Sequence, residues 1–247
     1  MEYTRLGRSG LKVSRVCLGC MTFGKPCDEN QSKEIIHAAY DAGVNFFDTA
    51  NVYSKGISEE YTGRALFGRR DNVIIATKLY GRMSDEINDR GLSRKHIMDS
   101  AEKSLKRLAT DYIDLLQIHH WDNDVPIDET LEALTDLVRQ GKVRYIGASN
   151  CTGWQIAKSM GVSRMKQLES FVSLQPRYSL AQREIEWEQV PVCLDEGIGI
   201  IPWSPLQGGL LSGKYDFSKP APEGTRFDEG QRWENMKKRY DNEAISN

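Results

Sequence analysis

Four side chains in this sequence have the types needed to hand a proton to a reacting oxygen, and three of them stand where an apolar run stops. Asp48 closes Asn45-Phe46-Phe47, Lys78 ends Val73-Ile74-Ile75-Ala76-Thr77, and His119 ends the run from Tyr112 to Ile118. Tyr53 lies in the loop that follows Asp48. Short apolar runs of this kind read as strands buried on both faces, and α/β proteins keep their chemistry at the carboxyl ends of such strands. An acid, a phenol, an ammonium and an imidazole gathered there would form a proton-delivery group. Lys78 can depress the phenol's ordinary pKa of about 10, and Asp48 can keep the lysine charged. Taken alone, Asp48 and Tyr53 are equally compatible with a bland reading, an acid capping the next helix and a half-buried ring.

The elements that must position these groups alternate. Tyr3 to Ser14 reads as a small hairpin about a glycine turn, expected to cap the underside of the fold, and Arg15 to Met21 as a first strand. Ile35, Ile36, Ala39 and Tyr40 recur at helical spacing up to Gly43, which suits a C-terminal cap. Ser58 can cap a helix with Glu59 and Glu60 in its first turn. Ile97, Ala101, Leu105 and Leu108 mark another helix, and Leu131, Leu134 and Val138 a further one closed by Gly141. Strands are expected at Val143 to Ala148, Phe171 to Leu174 and Ile198 to Pro202, with a helix around Glu186 to Glu196.

Alternation at this spacing predicts a parallel sheet closed into a (β/α)8 TIM barrel, here apparently truncated before the last strand and helix. About seven strands are visible, and the tail from Lys219 is polar, with one helix near Gly230 to Ile245. No G-x-G-x-x-G follows the first strand, which counts against a doubly wound dinucleotide fold. Asp48, Lys78 and His119 then come from neighbouring strands about 4.8 Å apart per step and converge on one mouth. His120 lies on the opposite side of its strand from His119, and the sequence alone does not say which of them faces the mouth.

The 247 residues suit one domain, 1–247. A net charge of -2 with 28% charged residues carries no surplus that points to nucleic acid or a membrane surface. The longest apolar runs fall short of the ~20 residues that span a bilayer, and the N-terminus has no signal-peptide core, so a soluble cytoplasmic protein is expected. Five scattered cysteines (Cys17, Cys20, Cys27, Cys151, Cys193) do not form a disulfide framework, and the lone C-x-x-C lacks the second pair a metal site would need. Reduced thiols and no metal are expected.

Five runs in order resemble the aldo-keto reductase superfamily, from Tyr3 to Tyr215: Asn45 to Ala50 with Tyr53, Ala76-Thr77-Lys78, Asp114 to His119, Tyr145 to Asn150, and Ile201 to Leu206 with Gly208 to Lys214. The resemblance implies an NADP-dependent oxidoreductase that reduces aldehydes or ketones. Its catalytic tetrad maps onto Asp48, Tyr53, Lys78 and His119, with Tyr53 as general acid, Lys78 and Asp48 tuning it, and His119 orienting the carbonyl. The family pattern selects His119 over His120, which is left as a loop or pocket-wall histidine.

The same resemblance assigns Ser149, Asn150 and Gln175 to the nicotinamide carboxamide and Trp203 to stacking on the ring. It assigns Ser204, Pro205, Leu206 and Gly208 to the pyrophosphate with Lys214 as a countercharge, while Gly19 and Cys20 match a contact in the first loop. Trp121 is expected as a wall of the substrate pocket. NADP(H) is inherited from the family, NAD(H) is not excluded, and the adenosine-gripping segment of relatives has no counterpart here, so weak cofactor binding is expected. Three other readings stand beside the reductase: a cofactor-sensing, channel-associated subunit of the same superfamily, a catalytically impaired truncated reductase, and a Schiff-base aldolase using Lys78. The carbonyl substrate and the oligomeric state are not legible.

Overall fold

A computed structural model describes residues 1–225, 227–228, 233–235 and 237–238. The chain forms two compact units, Met1–Gln175 with Glu188–Ile201, and the described part of Pro176–Trp187 with Pro202–Asn247.

The first unit opens with an antiparallel hairpin, β1 (Tyr3–Arg5) and β2 (Lys12–Ser14). Seven parallel strands follow in sequence order: β3 (Leu18–Gly19), β4 (Phe46–Asp48), β5 (Ile74–Leu79), β6 (Ile113–Ile118), β7 (Val143–Ser149), β8 (Ser173–Gln175) and β9 (Gly199–Ile200). The helices between them are α1 (Glu29–Asp41), α2 (Ile57–Ala65), α3 (Arg94–Leu108), α4 (Ile127–Arg139), α5 (Gly153–Lys166) and α6 (Gln189–Glu196). This is the curled parallel sheet with crossover helices of a (β/α)8 TIM barrel, seven of whose strands lie among the described residues.

Side-chain alternation sorts the strands into two faces. Phe47, Ile75, Leu116, Ile146 and Leu174 pack on the helices in one large cluster with Ile36, Ile97, Leu131 and Ile156. Phe46, Ala76 and Leu115 form a smaller cluster on the inner face with Leu6, Val13 and Ile201, and Tyr145 and Val172 pack against it. The hairpin thus covers the inner face from its amino-terminal end, as the sequence predicts. Gly7, at positive φ, allows this, because a Cβ there would lie 2.5 Å from Gly197 O and 2.6 Å from Gly199 N. The Arg8 N–H donates to Gly197 O at 2.8 Å.

Two local expectations change. Ser58 is not an N-cap: Gly56 holds that position in α2, while Ser58 Oγ is buried, donates to Cys20 O at 2.7 Å and lies 2.8 Å from Thr49 Oγ1. The sequence reading also passes over α5. A capping box, Thr152 with Gln155, starts this helix, but its apolar residues do not form one stripe: Ile156 and Met160 are buried while Trp154 and Met165 are exposed. The helix expected from Glu186 is shorter, with a 3₁₀ turn at Glu184–Glu186 before α6.

In the second unit, Trp203 N–H donates to Pro176 O at 2.9 Å and Tyr178 N–H to Trp203 O at 3.3 Å. A 3₁₀ turn spans Gln207–Ser212, and Leu210, Tyr215, Phe217 and Phe227 pack around buried Trp233. The helix expected near 230–245 lies largely outside the described residues; 233–235 and 237–238 are helical.

Candidate active site

The carboxyl ends of β4, β5 and β6 sit side by side, and register does much of the positioning. Lys78 pairs with Gln117, Gln117 with Gly147, and Gly147 with Ser173, so one row crosses four strands on the inner face. Asp48, at the end of β4, shares that face. The chain beyond Asp48 keeps following β5: Thr49 N–H donates to Ala76 O at 2.9 Å and Asn51 N–H to Lys78 O at 3.0 Å. It then turns through the 3₁₀ segment Tyr53–Gly56, which brings the Tyr53 ring back over the strand ends.

Lys78 joins the group. Its side chain is fully buried, and Nζ donates to Asp48 Oδ2 at 2.5 Å, to Thr49 O at 2.8 Å and to Tyr53 Oη at 3.2 Å. Three acceptors satisfy the three N–H bonds of an ammonium, the condition under which a charged lysine can be buried. Burial pulls the Lys78 pKa down, but the Asp48 charge, Tyr53 and the hydrogen bonds to both outweigh it and leave the lysine above its ordinary value. Such an amine is charged and a poor nucleophile, which argues against Schiff-base chemistry at Lys78.

Tyr53 departs from the sequence expectation. Burial raises its phenol pKa above 10 and outweighs the lowering by Lys78, so the phenol carries its proton at neutral pH. His119 lies edge-on to Tyr53, ring centroids 5.8 Å apart. Burial, then the Lys78 charge, then His120 push the His119 pKa down to about 3, so the ring is a neutral imidazole with one N–H. His119 continues the inner-face parity of Leu115 and Gln117. His120, on the other parity, stacks on His119 at 5.2 Å with the planes 15° apart and leans on Tyr80 at 5.5 Å.

The second oxygen of Asp48 is also committed. Gln117 Nε2 donates to Asp48 Oδ1 at 3.0 Å and Gln175 Nε2 donates to the same oxygen at 2.9 Å. Gln117 has no role in the sequence reading. The signal was available, since it stands two residues before His119 and is the one amide in the run Leu115-Leu116-Gln117-Ile118.

The family model described as Aldo/keto reductase family matches residues 15–244. The chain belongs to the aldo/keto reductase family. It is 47% identical over 226 residues to "Uncharacterized oxidoreductase YrpG" of Bacillus subtilis (strain 168), covering 87% of this chain and 69% of the relative. It is 42% identical over 238 residues to "Versiconal hemiacetal acetate reductase" of Aspergillus parasiticus, covering 86% and 69%. "Probable voltage-gated potassium channel subunit beta" of Arabidopsis thaliana is 40% identical over 232 residues, covering 92% and 70%. The protein is therefore an NAD(P)H-dependent oxidoreductase by family.

Ser149, Asn150 and Gln175, expected at a cofactor carboxamide, lie on the first unit. Ser149 Oγ donates to Gln175 O at 2.9 Å, and Asn150 Nδ2 donates to Ser149 Oγ and to His119 O, both at 3.0 Å. Asn150 has φ +55°, a left-handed conformation that asparagine tolerates better than most residues. Gly19 opens on space, with nothing within 4 Å of a Cβ added there. Cys20 is enclosed: its N–H donates to Asp48 O at 2.8 Å, its carbonyl accepts from Ser58, and burial pushes its thiol up to about 12. Trp121 is half-buried and meets Trp154 of α5 edge to face at 5.7 Å.

On the second unit, the Arg177 guanidinium lies 5.4 Å from the Trp203 ring centroid. Ser204 has φ +55° and Gly208 φ +71°, which coil the segment from Ser204 through Pro205 and Leu206. Two of its N–H groups serve the turn itself, Gln207 donating to Ser204 O and Gly209 to Leu206 O, both at 2.8 Å. Lys214 Nζ sits 5.1 Å from the Tyr215 ring centroid. Among the described residues no group of His, Cys, Asp or Glu is arranged to hold a metal, and no helix is long and apolar enough to cross a membrane.

Proposed function

We propose that this chain reduces the carbonyl group of a small aldehyde or ketone with NADPH, Tyr53 acting as general acid. The observation that carries the reading is the placement of one buried ammonium, Lys78 Nζ, between Asp48 Oδ2 and Tyr53 Oη. A phenol that keeps its proton at neutral pH can donate to a carbonyl oxygen as negative charge grows there. Lys78, 3.2 Å from Tyr53 Oη, stabilises the phenolate left behind. His119, neutral, offers one N–H to the same oxygen and so orients the carbonyl.

The donor set fits a nicotinamide carboxamide. Gln175 Nε2 is spent on Asp48, which leaves Oε1 as the acceptor for an amide N–H. Ser149 and Asn150 stand on the adjoining strand end, and Trp203, Ser204, Pro205, Leu206, Gly208 and Lys214 are assigned to the rest of the dinucleotide by family likeness. The cofactor, when bound, supplies the hydride, which no side chain can. NADPH in preference to NADH is likewise taken from the family.

The test is oxidation of NADPH in the presence of benzaldehyde, glyceraldehyde or cyclohexanone, with Tyr53→Phe as the control. The variant should lose roughly 10²- to 10⁴-fold in kcat and still quench with NADPH as the wild type does. A variant with full activity would overturn the role of Tyr53. The channel-subunit likeness supports a second reading, a cofactor-binding regulatory subunit, but a neutral His119 beside Tyr53 favours the enzyme.

A further inference from the structure

The inner face beneath the strand ends holds a polar residue that the reductase reading leaves unused. Gln117 is fully buried on β6, and its Nε2 donates to Asp48 Oδ1, the oxygen that Gln175 also binds. Its own Oε1 is buried without a hydrogen-bond partner, as is Ser173 Oγ two strands away. Turning the amide over would set Oε1 against a carboxylate oxygen, so the N–H side faces Asp48. The space is kept by Gly147, where a Cβ would lie 2.4 Å from Ser173 Oγ and 3.2 Å from Gln117 Cγ.

An apolar side chain of similar volume would fill this position without stranding an oxygen, so packing alone does not account for the glutamine. We propose that Gln117 is a positioning residue for the reduction, acting through Asp48. This rests on the reductase reading. Two amide donors on Oδ1 fix the rotation of the carboxylate, so that Oδ2 holds Lys78 within reach of Tyr53 Oη. With one donor gone the carboxylate can turn, and Lys78 can follow it away from the phenol.

Gln117→Met keeps the volume and removes the donor. NADPH oxidation with the best carbonyl of the panel should show kcat down about tenfold, while the carbonyl KM, the NADPH Kd and the urea midpoint stay at or near wild type. Gln117→Glu adds a pH signature. Beside Asp48 the introduced carboxyl holds its proton to higher pH than usual, and while protonated it donates an O–H in place of the lost N–H. The ratio of its kcat to wild type should therefore be highest near about pH 5.5 and fall toward about pH 8. An active wild type with an unchanged Gln117→Met, or a loss that merely tracks the urea midpoint, would overturn the role. A flat ratio for Gln117→Glu would do the same. A wild type that oxidises NADPH with none of the carbonyls would overturn the reductase reading and this role together.

Discussion

Along β4 to β8, Phe47, Ile75, Leu116, Ile146 and Leu174 alternate with Asp48, Ala76, Lys78, Gln117, Gly147, Ser149, Ser173 and Gln175. The first set meets helices, and its cohesion is non-directional packing spread over many contacts. The second set holds a buried ion pair, and its cohesion is a short list of hydrogen bonds, each with a named partner. Even the buried charge on the helix side is settled differently. Glu59 is fully buried, yet Arg107 Nε at 2.6 Å and Thr77 Oγ1 at 2.5 Å close it off as a self-contained clamp between helices and strand. On the inner face Lys78 ends on a phenol that is still free to give its proton away. One face spreads its stability over many atoms, and the other concentrates it on a few, the same few that the proposed reduction would use.

This contrast can be broken at both faces. The largest expected effect is Lys78→Met, which leaves the Asp48 carboxylate buried with amide donors alone. Stability should fall by about 4 kcal/mol in urea unfolding, and carbonyl reduction should be lost with it. Leu116→Ala, one residue from Gln117 but on the helix side, should cost about 3 kcal/mol of stability while kcat at a permissive temperature stays near wild type. If it removed activity in proportion, the faces would not be independent.

A smaller effect comes from protons. Burial, Lys78 and His120 hold the folded-state pKa of His119 at about 3, below the unfolded value of about 6.5. A depressed base means that the unfolded chain binds the proton first. The associated stability is therefore complete above about pH 6.5 and drains away as pH falls toward about 3. His119→Asn should flatten the fall of the urea midpoint between about pH 6.5 and about pH 4. Buried His96, whose pKa burial lowers, contributes in the same direction and should leave part of the slope. The smallest change is expected for Ser173→Ala. Its Oγ is buried without a partner, so its removal should leave the unfolding free energy within about 0.5 kcal/mol of wild type, or raise it.

The helix-side face was the more legible in sequence. Strands β4 to β7 announce themselves because burial on both faces demands continuous apolar runs, and the turn after each run shows where the strand stops. Helices with a clean stripe, α3 and α4, were equally plain. By contrast α5 is not legible as a stripe, since its exposed Trp154 and Met165 blur the pattern and only its capping box marks it. Ser58 looked like a cap because a serine before two glutamates has that form. Its hydroxyl instead joins β3 to the loop after β4, a long-range demand that no local pattern reveals. At the site, Asp48, Lys78 and His119 were visible as polar breaks in apolar runs. The pull of burial on Tyr53 was not, because desolvation depends on neighbours brought together only by folding. Gln117 was hidden for the opposite reason: it sits inside a strand, where a single amide reads as noise until parity with His119 is taken into account.

The hairpin at the start of the chain carries a consequence for how the molecule is made. Arg8 is tied to Gly197 and Gly7 is fitted against Gly199, so its first turn docks onto the last described strand. Contacts between such distant parts of a chain form late and slow folding. During synthesis the early strands can pair with their neighbours as they emerge, but the plug must wait for β9. Until then Leu6 lacks the Gly199 and Ile201 side of its seat, and that edge of the nascent sheet's amino-terminal end stays open to water and to chaperones.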